Sequence, residues 1–332
     1  MGMYNKILGG LLAAAVGDAM GAATETRNTQ QIKEKFNGLV TDFVDIPNDV
    51  FARGCPKGCV TDDFSLAYYT ALAIINNKGV INDLTAKTAL VSWSKSPYYF
   101  MAGPTTVAAV NKMIGIPENF NNVFHPAVDN SKGSNGSAMK IAPVGWASKG
   151  NINKAIKDAV IICKPTHNNN SSLAAACAVA AAVSCALKDD VTVKEVVQAG
   201  LQGAQFGQTQ GVQLATPSVY KRIKLAVAIG ERCKGDMEKA MRELTDIIGS
   251  GLAAAEAVPT AFGLLAAMNG EPYKCIVAGV NIGNDTDTVA TMVGAIAGTM
   301  NSYFDQRYLR IIDEVNHFDL PTVASGLEKL NG

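Results

Sequence analysis

The sequence carries no excess of charge of either sign. Its 332 residues contain 29 Lys plus Arg and 29 Asp plus Glu. Without a net positive field, the chain lacks the general attraction for phosphates that supports binding to nucleic acids, and it has no acidic tail. We therefore expect no nucleic-acid partner, and any charged ligand has to be recognised by a local group of residues.

Membrane-spanning segments are also missing. An apolar run over residues 7–16 superficially resembles a secretory signal, but only Lys6 precedes it, and Asp18 and Glu25 follow within one continuous motif. The apolar stretch over residues 173–187 is mostly alanine and is too short to cross a hydrocarbon layer of about 30 Å as a helix. We expect neither a signal peptide nor a membrane partner.

The cysteines do not form a paired framework. Their number is odd, and they are scattered along the chain at Cys55, Cys59, Cys163, Cys177, Cys185, Cys233 and Cys275. This distribution fits reduced thiols better than disulfides, which predicts a cytoplasmic protein. Cys55 and Cys59 have no second Cys or His pair close by in the sequence, so a structural zinc site is not favoured.

Apolar residues at helical spacing dominate the sequence, which is 48% hydrophobic. Gly and Asn interrupt these segments, whereas alternating β-branched runs are missing. This pattern predicts an all-α protein with helices over residues 4–15, 63–76, 84–94, 104–113, 152–163, 171–187, 193–206, 219–229, 237–247, 258–268, 273–280, 288–300 and 306–315. Irregular segments are expected over residues 37–60, 116–138 and 207–218.

Small residues are concentrated in the predicted helices. Because Ala and Gly let helix axes approach closely, the helices are expected to form a tight multi-helix bundle. No Ser/Pro-rich linker, charge block or repeat divides the chain. A single domain over residues 1–332 is the simplest organisation.

The first group of acids follows Thr61, where Asp62 and Asp63 precede an apolar helical segment. Taken alone, the segment is typical of helix capping, because Thr is a good N-cap and Asp in the first turn complements the helix dipole. Capping is therefore the simpler interpretation of this segment by itself.

The second group of acids is Asp285 and Asp287, followed by Thr288 at the start of another predicted helix. These oxygen ligands suit Mg²⁺, Mn²⁺ or Ca²⁺ better than zinc. One cap needs one side chain, so capping explains neither the second acid nor the repetition. Four gathered carboxylates would repel one another unless cations neutralised them.

A third element lies near the N-terminus. The apolar helix that begins near residue 4 is expected to stop at Gly17 and Asp18, and a Gly/Ala turn then leads to Glu25. Asp18 is expected to be structural. Glu25 is a candidate functional residue because small residues around it allow close approach of the backbone.

Together and in this order, the three segments resemble the ADP-ribosylglycohydrolase family. The resemblance extends from Gly9 to about Gly298 and includes a loop that runs from Ser134 to Lys140 and the pair formed by Thr166 and His167. It implies a compact orthogonal multi-helix bundle, in agreement with the helical pattern.

The resemblance also implies a binuclear centre that holds two divalent cations, Mg²⁺ or Mn²⁺. Its ligands would be Thr61, Asp62, Asp63, Asp285, Asp287 and Thr288. Glu25 matches a mobile glutamate of the family near the scissile ribose. Asp62 or Asp63 is the candidate general base, with Glu25 as the alternative.

Substrate contacts are implied for the loop and for the histidine. The matching positions are Ser134, Asn135, Gly136, Ser137 and His167. In the family, this loop cradles a diphosphate and the adjoining ribose. Without the resemblance, a capping or core role would be the simpler interpretation of His167.

The chain departs from the family pattern at three positions near these motifs. Phe64 stands where relatives commonly carry Thr, Asn284 where Gly is usual, and Lys140 where relatives often have Arg. Neither Phe64 nor Asn284 removes a ligand. A bidentate phosphate contact would not carry over to a lysine.

Four functions are consistent with these residues. The leading one is metal-dependent hydrolysis that removes ADP-ribose from a protein side chain or from a small acceptor. The alternatives are an N-glycosidase acting on a nucleoside or another small riboside, a non-catalytic binding or structural relative, and a phosphohydrolase that uses the same carboxylates.

Overall fold

The computed structural model describes residues 2–116 and 128–330 of the chain. Within these ranges the protein is all-α and contains no β-strand, as predicted. Its sixteen helices are α1 Met3–Gly21, α2 Thr29–Phe36, α3 Asp62–Asn76, α4 Asp83–Trp93, α5 Pro104–Met113, α6 Ala142–Ala147, α7 Ile152–Cys163, α8 Asn170–Ala186, α9 Val193–Gly207, α10 Val219–Arg232, α11 Met237–Ile247, α12 Ala254–Ala267, α13 Pro272–Asn281, α14 Thr286–Asn301, α15 Gln306–Asn316 and α16 Leu320–Glu328.

Thirteen of these helices were predicted from the sequence, and three were not. Helix α2 is mostly polar and buries only Ile32, although a capping box at Asn28 marks its beginning. Helix α6 is short and contains Pro143. Helix α16 also has a proline in its first turn. Short or polar helices lack the long apolar period on which sequence prediction depends.

Helix α1 does not stop at Gly17 and Asp18, so that prediction is wrong. The helix continues to Gly21. An added Cβ at Gly17 would lie 2.5 Å from the carbonyl oxygen of Ala290, and one at Gly21 would lie 2.4 Å from Cα of Asp287. These glycines therefore allow α14 to approach the backbone of α1, and they do not end the helix.

The centre of the bundle is built on two closely packed helix pairs, α1 with α14 and α8 with α9. Helix α8 is rich in alanine and is buried along almost its whole length. At Gly203 of α9, an added Cβ would lie 2.1 Å from the carbonyl oxygen of Cys177 in α8. Small side chains thus determine how close the central helices lie.

The predicted irregular segments agree with the structure where it describes them. Residues 37–60 form turns, residues 208–218 form a loop, and the segment before α6 contains the 3₁₀ helices Asn130–Lys132 and Asn135–Ser137. Residues 117–127 of the predicted irregular segment lie outside the described ranges. All seven cysteines lie within those ranges and form no disulfide. In the described part of the chain, no helix has both the length and the apolar character needed to cross a membrane.

We predict that Gly294→Ala destabilises the protein by about 1–3 kcal/mol, because overpacking forces shifts in a close-packed core. An added Cβ at Gly294 would lie 2.5 Å from the carbonyl oxygen of Ala13 in α1. Gly103→Ala is the control, since nothing lies within 4 Å of a Cβ at Gly103. Urea denaturation of both variants measures the difference, and equal midpoints would contradict the proposed packing constraint.

Candidate active site

One large cavity opens between the N-terminal ends of α3, α8 and α14. Its volume is about 960 Å³. The residues predicted as site residues that line it are Glu25, Thr61, Asp62, Asp63, Ser134, Asn135, Gly136, His167, Asp285, Asp287 and Thr288. The fold therefore brings together residues that are up to 263 positions apart in the sequence, from Glu25 to Thr288.

Capping of α3 is carried out by Thr61 and Asp18. The Thr61 hydroxyl oxygen accepts a hydrogen bond from the backbone N–H of Asp63 at 3.2 Å. The fully buried carboxylate of Asp18 accepts from the backbone N–H groups of Thr61 at 3.0 Å and Phe64 at 2.8 Å. Asp18 has the structural role expected for it, and the carboxylates of Asp62 and Asp63 are not needed as caps.

The acids at α14 are held from two sides. The side-chain amide of Asn135 donates to the Asp285 carboxylate at 2.5 Å, and the Asp285 backbone N–H donates to the carbonyl of Ser250 at 3.1 Å. Asn284 has φ of +66°, in the left-handed region that glycine and asparagine adopt most readily. The asparagine thus supports the same turn that a glycine would.

Glu25 reaches this group through a turn that follows α1. The backbone N–H of Thr26 donates to the carbonyl of Asn284 at 2.8 Å, and the N–H of Asn284 donates to the carbonyl of Arg27 at 2.8 Å. Two backbone hydrogen bonds therefore hold this turn against the turn that precedes α14. Carboxylate oxygens of Glu25, Asp285 and Asp287 all lie within 4.8 Å of one another.

Burial and mutual repulsion raise the pKa values of these acids. Removal from water is the largest cause for Glu25, whose pKa rises to about 8, followed by the charges of Asp285 and Asp62. The pKa of Asp62 also rises to about 8, from desolvation and the charge of Asp18. Desolvation likewise raises the pKa of Asp63 and of Asp287 well above the usual range. The group therefore resists full ionisation unless positive charge accompanies it.

The donor atoms fit hard divalent cations. Oε2 of Glu25 and Oδ1 of Asp63 are buried and have no hydrogen-bond partner among the described residues. Unpartnered buried carboxylate oxygens are costly, and Mg²⁺ and Mn²⁺ favour oxygen ligands. The most compact group of acids contains Glu25 with Asp285 and Asp287, whereas the sequence had placed Glu25 outside the ligand set.

Part of the cavity wall is formed by the loop that contains Ser134, Asn135 and Gly136. An added Cβ at Gly136 would lie 3.1 Å from the ring of His167, so glycine lets the histidine lie against the loop. Ser137 does not line the cavity, contrary to its prediction as a substrate-binding residue. It is fully buried, and its hydroxyl donates to the carbonyl of Ser172 at 2.7 Å.

His167 is 2% exposed and contacts the loop through Nε2 and the neighbouring Thr166 through Nδ1. Its Nε2 lies 3.0 Å from the Ser134 hydroxyl oxygen, and its Nδ1 lies 2.8 Å from that of Thr166. Burial, together with the charge of Lys140, lowers the pKa of His167 to about 3. The imidazole is therefore neutral near pH 7 and acts through hydrogen bonds.

The cavity has an apolar rim that was not predicted from the sequence. Phe51, Phe100 and Leu252 line it and are 59%, 63% and 68% exposed, respectively. All three lie outside the α-helices, where no hydrophobic period marks them. The only sequence signal for this rim was the presence of large apolar side chains in segments that contain Gly and Pro. The rim offers apolar contacts beside the polar floor.

A model of the ADP-ribosylglycohydrolase family matches residues 1–324. The chain is similar to the Escherichia coli (strain K12) protein YegU, with 28% identity covering 98% of this chain and 96% of that protein. It is also similar to the ADP-ribosylhydrolase ARH3 of Bos taurus, with 27% identity covering 89% of this chain and 84% of that enzyme.

Similarity to a solved structure extends over the whole fold. An ADP-ribosylglycohydrolase-related protein complex contains a chain that matches with a TM-score of 0.68 and 20% identity. The match covers 99% of this chain and 98% of the solved one. At this identity the likeness concerns the arrangement of the helices.

We predict that metal-free protein loses stability as the pH rises from the ordinary range of carboxyl pKa values towards about 8. A carboxyl group whose pKa is raised by folding keeps a proton that the unfolded chain has released, so rising pH favours unfolding. Saturating Mn²⁺ should reduce this loss, because a ligand of the native state stabilises it. Urea denaturation with chelator or with Mn²⁺ measures both effects.

Glu25→Gln should reduce the pH dependence of the metal-free protein, since it removes one of these carboxyl groups. The matched control is Glu231→Gln, which changes an exposed glutamate in α10. A metal-free protein whose stability does not change over this pH range would contradict the proposed repulsion among the acids.

Proposed function

The chain belongs to the ADP-ribosylglycohydrolase family, and we propose that it hydrolyses a ribosyl glycosidic bond with the help of two divalent cations, Mg²⁺ or Mn²⁺. The proposed reaction removes ADP-ribose from a protein side chain or from a small acceptor. One observation carries this proposal: buried carboxylates with unpartnered oxygens face the same cavity as a neutral histidine and a glycine-containing loop.

The proposed cation ligands are the residues at the beginnings of α3 and α14, with Glu25 beside them. Capping by Asp18 and Thr61 supports this assignment, because it leaves the carboxylates of Asp62 and Asp63 available. When bound, such cations neutralise the gathered charge and polarise oxygen atoms of the substrate or of water.

Asp62 is our first candidate for the general base, with Asp63 and Glu25 as alternatives. Asp62 is the least buried of these three acids, so a water molecule can reach it most easily. Bound cations would favour its ionised form, which is the form that accepts a proton. Carboxylates around the ribose also stabilise the oxocarbenium-like transition state of glycoside cleavage.

The wall formed by the loop and His167 supports recognition of a polar, anionic part of the substrate. Ser134 and His167 meet there, and Asn135 connects the loop to Asp285. ADP-ribose has both parts that such a cavity needs: a ribose for the acids and a diphosphate for the loop. The chain's similarity to an ADP-ribosylhydrolase named ARH3 is in line with this substrate.

A second candidate function is cleavage of a nucleoside or another small riboside. The exposed aromatic rings of Phe51 and Phe100 line the same cavity and offer surfaces on which a base could stack. A purely structural or binding role is less favoured, because every proposed cation ligand is present and lines the cavity.

We predict that Asp62→Asn and Asp285→Asn each lower kcat/KM by at least about a hundredfold, the usual contribution of a general acid or base. Asp62 is the candidate base, and Asp285 is a proposed ligand that contacts Asn135. Release of ADP-ribose from ADP-ribosylated arginine and serine in the presence of Mn²⁺ is the measurement. Asp246→Asn on the exposed side of α11 is the control. Folded variants that keep metal-dependent turnover would show that the site is assigned wrongly.

The substrate class is tested by calorimetric titration of ADP-ribose, free ribose and adenosine into protein loaded with Mg²⁺ or Mn²⁺. We expect metal-dependent binding of ADP-ribose that is lost in Asp285→Asn. Binding of adenosine alone would instead favour a riboside hydrolase. If none of the three binds, the non-catalytic alternative is favoured.

A further inference from the structure

Lys140 is a buried cation beneath the wall of the cavity. It is 1% exposed, and none of the ion pairs between described residues involves it. Its ammonium donates to the hydroxyl oxygen of Thr166 at 3.1 Å. A buried charge without a counter-ion is costly, so its position beside a cavity needs an explanation.

Three side chains connect this cation to the cavity. From Lys140 the contacts continue through Thr166 to Nδ1 of His167 at 2.8 Å, and from Nε2 of the same ring to the Ser134 hydroxyl at 3.0 Å. Thr166, His167 and Ser134 line the cavity, whereas Lys140 lies behind them. The series thus ends at the surface that a substrate would contact.

The charge of the first member fixes the first hydrogen bond of the series. An ammonium has donors and no acceptor, so the Thr166 oxygen must accept from Lys140. The Thr166 proton then has two acceptors within reach, Nδ1 of His167 at 2.8 Å and the carbonyl of Cys163 at 3.3 Å. Donation to the nearer acceptor, Nδ1, continues the series to the ring, whereas donation to Cys163 would leave the second lone pair of Thr166 to accept from an Nδ1–H.

A neutral imidazole that accepts at Nδ1 carries its proton on Nε2. That proton is donated to the Ser134 oxygen, which leaves the Ser134 hydroxyl proton free to point into the cavity. In the other tautomer the Ser134 hydroxyl would donate to the ring, and only its lone pairs would face the substrate. The tautomer therefore decides whether Ser134 attracts or repels an anionic oxygen.

We propose that Lys140 is a positioning residue that acts through Thr166 to hold His167 in the Nε2–H tautomer, so that Ser134 presents a hydrogen-bond donor to an anionic oxygen of the substrate. This inference rests on the proposed function and adds to it. The group recognised is a phosphate oxygen, and the buried positive charge favours its binding from behind the wall.

The hydroxyl of Ser171 also supports the recognition of an anionic oxygen at this wall. Ser171, at the beginning of α8, is 4% exposed and lines the cavity, and its Oγ has no partner among the described residues. An added Cβ at Gly133 would lie 3.4 Å from the Cβ of Ser171, so this hydroxyl lies directly beside the loop. An anionic oxygen in the cavity would supply the acceptor that Ser171 lacks.

Nitrogen-15 NMR of histidine-labelled protein tests the tautomer directly, because the chain has only three histidines. In the wild type we expect a protonated Nε2 and an unprotonated Nδ1 for His167, assigned by its loss in His167→Asn. In Lys140→Met, where the Thr166 oxygen is free to accept from the ring, we expect a protonated Nδ1 to appear. A wild-type ring with Nδ1–H, or a Lys140→Met spectrum identical to that of the wild type, would overturn the proposal.

Calorimetry with ADP-ribose and with uncharged adenosine, in Mn²⁺-loaded protein, tests the consequence for binding. Lys140→Met should weaken ADP-ribose binding by about tenfold, in the range expected for loss of a hydrogen bond that involves charge, and leave adenosine unchanged. The control is Lys6→Met, because Lys6 is also buried, at 4% exposure, but it contacts the carbonyl of Ala186 and the carboxylate of Asp189 and does not line the cavity. Equal weakening in both variants would indicate a general loss of packing and contradict a positioning role.

The two tests separate the two proposals. If wild-type protein does not bind ADP-ribose, the proposed substrate is wrong, while the NMR comparison still decides whether Lys140 sets the tautomer. If ADP-ribose binds equally well to wild type and to Lys140→Met, the function stands and the positioning role is excluded. Rescue of the Nε2–H tautomer by Lys140→Arg would support the need for a cationic donor at this position.

Discussion

The close contact between α1 and α14 positions the acidic residues that line the cavity. Gly17 and Gly21 lie where the two helices meet, and an added Cβ at Gly21 would lie 2.4 Å from Cα of Asp287. A side chain at this point would push the beginning of α14 away from α1. Glu25 lies in the turn that follows α1, and Asp287 lies at the beginning of α14. The contact between the two helices therefore also fixes how closely Glu25 and Asp287 approach each other.

Helix α1 positions the other acidic group as well. Asp18 in its last turn accepts hydrogen bonds from the backbone at the beginning of α3. Helix α1 therefore contacts the beginnings of both helices, α3 and α14, that carry the acids. The result is several buried acids with raised pKa values at the cavity. The loop and His167 add neutral donors to the same cavity, with the cationic Lys140 behind His167. This polarity suits a ligand with a ribose at one end and phosphate nearby.

The sequence predicted the fold class and the long apolar helices because these depend on local periodicity. That both acidic groups would meet was implied by the family resemblance, and the second acid at each helix start had indicated a role beyond capping. The extension of α1 beyond Gly17 was not predictable, because a glycine that ends a helix and a glycine that admits a neighbouring helix look alike in one sequence. Ser137 points into the core, and Phe100 lies on the rim of the cavity. Both positions depend on tertiary packing, which leaves no periodic signal in the sequence.

We propose that the buried acids hold divalent cations, and the stoichiometry of Mn²⁺ binding is the measurement that decides this. Mn²⁺ is titrated into metal-free wild type, Asp62→Asn and Asp285→Asn while free Mn²⁺ is followed by electron paramagnetic resonance. We expect two bound ions per wild-type chain and the loss of at least one in each variant. No specific binding to the wild type, or the same stoichiometry in all three proteins, would show that these acids do not form the cation site.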